Sequence, residues 1–338
     1  MKYRQLTALL TAAALLLCGC QSVPKTDPGA IPEETGVTDA DGNTVPLADD
    51  ALTTMVKAQT VTVPSGLNWL YSAEMIGDKI YCPDADGNAL SFSADCKDFT
   101  VTELTKLASY DGYFDAGGIL SFTADAIYRF AAMENHHGME LPDAEEADFD
   151  WDAYWSDYVT DYWLCTYSPD GTLAEKVQVT GLESYADEMG QIVPLSLLCD
   201  PDGTYLTLMS GEILRISAEG AAVQVEGAPD GTIESTLNNR RFLHDRDGKV
   251  ILCDETEETA PDNEMQSVIT MREFDTKTGK TGETFYTGSE PFMGQTVMPL
   301  SGGCGEYRLF VNNNKKLYGI KDNGDTETVI DWNASSGL

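Results

Sequence analysis

The densest collection of side chains able to do chemistry lies between Met133 and Asp161. It opens with Glu134-Asn135-His136-His137-Gly138 and passes through an acidic stretch into Phe149-Asp150-Trp151-Asp152-Ala153-Tyr154-Trp155-Ser156-Asp157-Tyr158, ending at Tyr162-Trp163. Read as a helix at 100° per residue, Trp151, Trp155, Tyr158 and Tyr162 fall within about 60° of one another, with Asp150, Asp157 and Asp161 clustered elsewhere. Such a stripe has two readings. It is either a platform on which a sugar ring or an apolar side chain stacks while carboxylates take hydroxyl protons, or the buried face by which an inserted helix docks.

Other residue groups imply less. His136 and His137 beside carboxylates are suitable metal ligands by type, but adjacent histidines without a spaced third ligand make a weak site, and no metal is expected. Asp84-x-Asp86 and Asp200-x-Asp202 begin like calcium loops yet lack the third acidic position and the distal glutamate, so they read as turns. No Gly-x-Ser-x-Gly, His-Glu-x-x-His, phosphate-binding loop or Gly-x-Gly-x-x-Gly is present, and no cofactor is implied. Paired carboxylates serve glycoside hydrolysis. In a chain with 56 Asp and Glu, their abundance alone carries no information.

The elements that must position these residues follow one theme, a short apolar or aromatic run, an acidic turn with glycine, and a second apolar run. Lys79-Ile80-Tyr81-Cys82 precedes Asp84-Ala85-Asp86-Gly87; Trp163-Leu164-Cys165-Thr166-Tyr167 precedes Ser168-Pro169-Asp170-Gly171; Leu197-Leu198-Cys199 precedes Asp200-Pro201-Asp202-Gly203; and Asp245-Arg246-Asp247-Gly248 precedes Val250-Ile251-Leu252-Cys253. Asp-Gly suits the positive φ of tight hairpins, so each predicts an antiparallel strand pair. A second set of hairpins ends at Gly220, Gly279 and Gly324. Gly203 to Gly248 and Gly279 to Gly324 are each 45 positions apart, and a period in the forties with about four strands per unit marks a propeller blade.

On these hairpins the chain resembles the β-propeller lipoproteins of bacteria over roughly Gly66 to Trp332, and Asp275-x-x-Thr278-Gly279-Lys280 resembles the turn of pyrroloquinoline-quinone-type repeats, although Phe285 stands where such repeats close with Trp. More loosely, it is similar to the N-terminal propeller segment of some Gram-positive solute-binding lipoproteins. The implied fold is all-β, a propeller-like ring of about five to seven antiparallel blades with one aromatic and acidic helical insert at about 133–161. The segment Val61-Thr62-Val63 would pair with the last blade to close the ring and remove sheet edges. Two open β-sandwiches are the alternative architecture.

The N-terminus supplies an address. Met1-Lys2-Tyr3-Arg4, an apolar run from Leu6 to Leu17 and Leu17-Cys18-Gly19-Cys20 form a signal too short to span a bilayer, and Leu17-x-Gly19-Cys20 resembles the bacterial lipobox. That resemblance implies removal of residues 1–19, diacylglycerol on the Cys20 thiol and an extracytoplasmic protein held on the membrane by two or three acyl chains. Residues 20–58 read as an acidic disordered tether, 59–333 as the propeller-like domain and 334–338 as its C-terminal end. A net charge of −35 argues against nucleic-acid partners, because phosphate binding depends on Lys and Arg displacing counterions. Cys82, Cys96, Cys165, Cys199, Cys253 and Cys304 are scattered singly. They read as buried free thiols rather than a disulfide framework.

Together these features predict a surface-anchored, non-enzymatic binding or assembly module for a glycan, a peptide or a neighbouring envelope protein, with solute capture as an associated role. The ligand-binding candidates are Trp151, Trp155, Tyr158 and Tyr162, with no catalytic residue assigned. The competing expectation is a propeller-type glycan hydrolase or lyase.

Overall fold

A computed structural model describes residues 36–38, 44–46, 64, 73–84, 87–93, 97–137, 158–186, 191–227, 237–244, 248–259, 265–291, 298–304, 307–312, 316–321, 323 and 325–331. A two-stranded hairpin, β1 (Gly36–Thr38) and β2 (Thr44–Pro46), lies within the segment read above as a tether. The first sheet is small: β3 (Glu74–Ile76), β4 (Lys79–Pro83), β5 (Ala89–Ser93) and β6 (Thr100–Thr102). The second has β7 (Phe114–Phe122), β8 (Ile127–Asn135), β9 (Val159–Tyr167) and β10 (Leu173–Val179). The third has β11 (Pro194–Asp200), β12 (Gly203–Leu208), β13 (Ile213–Ile216) and β14 (Ala222–Glu226). The fourth has β15 (Leu237–His244), β16 (Val250–Thr259), β17 (Met265–Asp275) and β18 (Lys280–Pro291). The last has β19 (Met298–Cys304), β20 (Tyr307–Asn312), β21 (Lys316–Ile320) and β22 (Thr326–Asp331).

In each sheet the four strands lie side by side in chain order, joined antiparallel. The first strands of successive sheets are neighbours, β7 with β11, β11 with β15, β15 with β19 and β19 with β3. This is an all-β propeller. The expected ring of about five to seven antiparallel blades is corrected to four full-sized sheets and a smaller first one, whose outer strands have 3 residues each. The acidic glycine turns mark hairpins faithfully but not strand length, and strands of 10 to 12 residues in the fourth sheet take up chain that equal blades would have shared.

The core forms between sheets, because alternate residues of every strand point to opposite faces. Phe122, Ile127, Cys165 and Tyr167 pack towards Ala89 and Leu107 from the first sheet and the segment after it. Phe130, Tyr162 and Val179 pack against Leu197, Leu206 and Leu214 of the third sheet. Leu198, Tyr205 and Ile213 meet Phe242, Leu252 and Phe274 of the fourth. Polar stitches join the inner strands: Cys199 N donates to Ser121 Oγ at 3.1 Å, and Phe242 N donates to Ser196 Oγ at 3.1 Å. The turns obey the glycine logic at Gly171, where φ is +84° and a Cβ would run into the carbonyl oxygen of Glu103, just after β6. Gly203 departs from it. No left-handed φ occurs there, and its missing side chain instead leaves room for the Tyr205 ring.

Cys82, Cys165, Cys199 and Cys253 are buried free thiols. Burial pushes Cys82, Cys199 and Cys253 up to about 12 and Cys165 up to about 11, so none is a nucleophile at neutral pH. The helical insert is not seen. Strand β8 continues to Asn135 and β9 begins at Val159, so Tyr158–Tyr162 enters a sheet instead of ending a helix. Residues 138–157, with Trp151 and Trp155, lie outside the described residues, as do Cys20 and the segment 59–63 expected to close the ring.

Candidate functional site

The arrangement best suited to chemistry lies on the face of the second sheet that looks towards the first. In β9, Asp161, Trp163 and Cys165 share this face, and the register Asp115–Met133–Asp161 runs straight across β7, β8 and β9. The segment after β6 folds over it and ends in Tyr110-Asp111-Gly112-Tyr113. This hairpin closes with Tyr113 N donating to Tyr110 O at 2.7 Å and with positive φ at both Asp111 and Gly112, the pairing expected of an Asp-Gly turn. Asn135 Nδ2 braces it from β8 by donating to Asp111 O at 3.2 Å.

This turn delivers two stacked tyrosines, with ring centroids 5.0 Å apart and planes 13° from parallel. Tyr110 Oη donates to Asp161 Oδ2 at 2.7 Å and accepts from Trp163 Nε1 at 3.2 Å. Burial, and then the Asp161 carboxylate, push the Tyr110 phenol up to about 12, so it remains a donor across the physiological range. On the neighbouring strand β10, Lys176 carries its ammonium 4.5 Å from the Trp163 ring centroid. Tyr110, Tyr113, Asp161 and Trp163 are all half-buried, and Lys176 is exposed. The result is an aromatic wall with a carboxylate at one end and a cation over one ring.

Asp115 lies on the same face but is fully engaged. Arg129 Nη1 donates to Asp115 Oδ2 at 2.8 Å, Arg129 Nη2 donates to Oδ1, and Leu107 N and Gly117 N add bonds at 2.8 and 3.1 Å. Burial opposes its charge, yet these donors outweigh it and hold the carboxyl below its ordinary range. It anchors the overlying segment and has no free lone pair to react.

The residues singled out from the sequence are divided by this sheet. Tyr162 points to the other face, where it is buried, stacks on Phe130 at 5.3 Å and accepts from Ile192 N at 3.0 Å. Tyr158 is half-buried and stacks on His136 at 4.8 Å, with Phe114 edge-on to the same imidazole at 5.0 Å. His136 Nε2 lies 3.5 Å from Glu134 Oε2, and among the described residues no three His, Cys, Asp or Glu side chains converge as a metal site. Sequence reasoning missed Tyr110, Tyr113, Trp163 and Lys176 as one site. The Tyr-Asp-Gly-Tyr turn is the signal that was available.

Two further charged groups are structural. Between the third and fourth sheets Arg240 is fully buried, 2.8 Å from Asp254 Oδ1 and 2.9 Å from Glu226 Oε1, and donates to Gly227 O at 2.8 Å and to Gly211 O. Arg272 holds the other Asp254 oxygen. From the fourth sheet to the first, His244 Nδ1 meets Glu74 Oε1 at 2.5 Å.

No protein-family model matches the chain, and no curated protein matches it in sequence. In structure it is similar to the GH32 β-fructofuranosidase BmSUC1 of Bombyx mori, at 11% identity and a TM-score of 0.40, over 79% of this chain and 60% of that one. It is also similar to a mutant of the GH43 protein BlXynB of Bacillus licheniformis, at 12% identity and a TM-score of 0.39, over 79% and 56%. The α-L-arabinofuranosidase PaAbf62A of Podospora anserina matches at 12% identity and a TM-score of 0.37, over 78% and 87%. The likeness is one of fold. Its shared feature is the propeller, and this chain spans about three fifths of the first of these proteins. Several of these neighbours are glycoside hydrolases, which runs against the expectation of a non-enzymatic module; what the likeness itself shows is the propeller fold.

Proposed function

We propose that this chain is a propeller-type glycan hydrolase that takes its substrate on the outer part of the second sheet. The observation that carries this reading is the half-exposed Asp161 carboxylate, oriented by Tyr110 and set beside Tyr113 and Trp163. A sugar ring presents an apolar face of C–H groups and an edge of hydroxyls, which matches a ring wall ending in a carboxylate. Hydrolysis requires a second carboxylate. Asp115 is fully engaged, so we assign the partner role to Asp111, exposed in the turn between the two tyrosines. Trp151 and Trp155, in the sequence between β8 and β9, are kept as proposed sugar-stacking residues. Tyr162 supports the sheet from behind, and Tyr158, stacked on His136 beside Phe114, lies away from the Asp161 carboxylate.

The test is release of reducing ends from a panel of soluble polysaccharides by the secreted protein. Asp161→Asn and Asp111→Asn should each lower kcat by about 10²-fold or more if these groups transfer protons. Absence of hydrolysis on every glycan, or full activity in both variants, would reject the assignment.

The Leu17-x-Gly19-Cys20 motif supports export and lipid anchoring outside the membrane, which would place the enzyme against extracellular glycan. Labelled fatty acid should enter the wild-type protein and be lost in Cys20→Ala, with the variant recovered from the medium. Labelling that survives this substitution would rule out Cys20 as the attachment site.

A further inference from the structure

Lys176 is an unusual feature of so acidic a molecule. The chain carries 56 acidic and 21 basic residues, so an exposed ammonium has many potential carboxylate partners. Among the described residues Lys176 nevertheless forms no ion pair, and it rests 4.5 Å from the centroid of Trp163. The residue reaches this position by register. Lys176 pairs with Cys165 across the β9–β10 ladder, which puts it on the face that carries Trp163 and Asp161. The cation lies over the indole, and the stacked Tyr110 and Tyr113 rings continue the wall from its edge.

The site therefore offers three kinds of contact in sequence along one face: an ammonium, an aromatic wall and a carboxylate backed by a phenol. A ligand that satisfies all three carries one negative charge at one end and neutral hydroxyls at the other. Asp161 sets an upper limit on that charge, because a dianion would be repelled by it. The overall negative charge is a weaker obstacle than it looks, since screening at physiological salt acts over about 8 Å.

Resting on the reading of this face as a glycan site, we infer that its substrate class is acidic sugars bearing a carboxylate, uronosides, with Lys176 the specificity-determining residue that receives the uronate and Asp161 taking the ring hydroxyls.

The experiment compares binding of methyl glucuronide, methyl glucoside and glucose 6-phosphate to the full secreted chain by ligand-observed NMR titration. Lys176→Met keeps an apolar stem on Trp163 without charge, and Lys176→Arg restores the charge. The wild type should bind the glucuronide about fivefold more tightly than the glucoside, the size expected of one exposed charge pair. Lys176→Met should bring that ratio to about one, and Lys176→Arg should recover it. A ratio near one in the wild type, a preference that survives Lys176→Met, or tighter binding of the phosphate would overturn the inference while leaving a neutral-glycan site standing. Glucuronide binding without hydrolysis of any uronide-containing polysaccharide would keep the inference and remove the enzymatic reading. Failure of all three sugars to bind would remove both.

Discussion

Replacing Arg240 by Met tests how the third and fourth sheets are held together. The guanidinium is completely buried, and its loss strips Asp254, whose side chain is 2% exposed, of one of two cations and leaves the Gly211 and Gly227 carbonyls without that donor. Removing one partner of a buried ion pair costs about 3–5 kcal/mol, because the remaining charge stays desolvated. Arg272 still contacts Asp254, and Glu226 is 24% exposed and regains water, which moderates the charge term. The two carbonyls add to it, at about 1–3 kcal/mol for each buried group left unpaired. A loss of about 4 kcal/mol is the expected total, a large share of the 5–15 kcal/mol that holds a typical domain together. Urea unfolding followed by tryptophan fluorescence measures it. The double variant Arg240→Met with Asp254→Leu should recover at least half of the loss, since it removes the stranded charge and fills the site with apolar volume. A single-variant loss under about 1 kcal/mol, or a double variant worse than the single one, would show that this cluster does not join the sheets.

Other outcomes follow from carboxylates whose environments differ. Asp115 is held below its ordinary range in the fold, so its contribution is present above the unfolded value of about 3.9 and is lost as pH falls through the folded value. The wild type should therefore destabilise more steeply than Asp115→Asn below about pH 4, as read by thermal melts across an acid series. Glu255 shows the opposite behaviour: burial, partly offset by Arg241 and Ser267, pushes it above the ordinary carboxylate range. Its ionisation costs stability as pH rises through that raised value, so Glu255→Gln should gain stability at pH 7 and gain none where both states are protonated. Equal gains at both ends would mean that the effect is packing rather than charge.

The legible part of this fold was its hairpins. Asp170-Gly171 and the turns at Gly220 and Gly279 sit where their glycines predicted, each with a positive φ. The helical reading failed at Tyr158–Tyr162 for a geometric reason. Tyr158 and Tyr162 are four apart, which is about one helical turn and also two complete strand repeats, so the spacing alone fits either element. The candidate site was invisible for a different reason. Tyr110, Asp161 and Lys176 come from three segments that only sheet register brings together, and no window along the chain contains them all. Asp161 was in view only as part of a helical polar cluster, and its partner Tyr110 lay in a stretch without recognisable periodicity.

Among the described residues, no sheet borrows a strand from another: each four-stranded sheet is made of strands consecutive in the chain, folded back three times. A gene segment encoding such a set of strands is a self-sufficient cassette. Its duplication or deletion would enlarge or shrink the ring without orphaning a strand elsewhere, leaving only the side-chain seams between neighbours to be refitted. A molecule assembled this way can change its girth in evolution more readily than one whose first and last strands are interlocked.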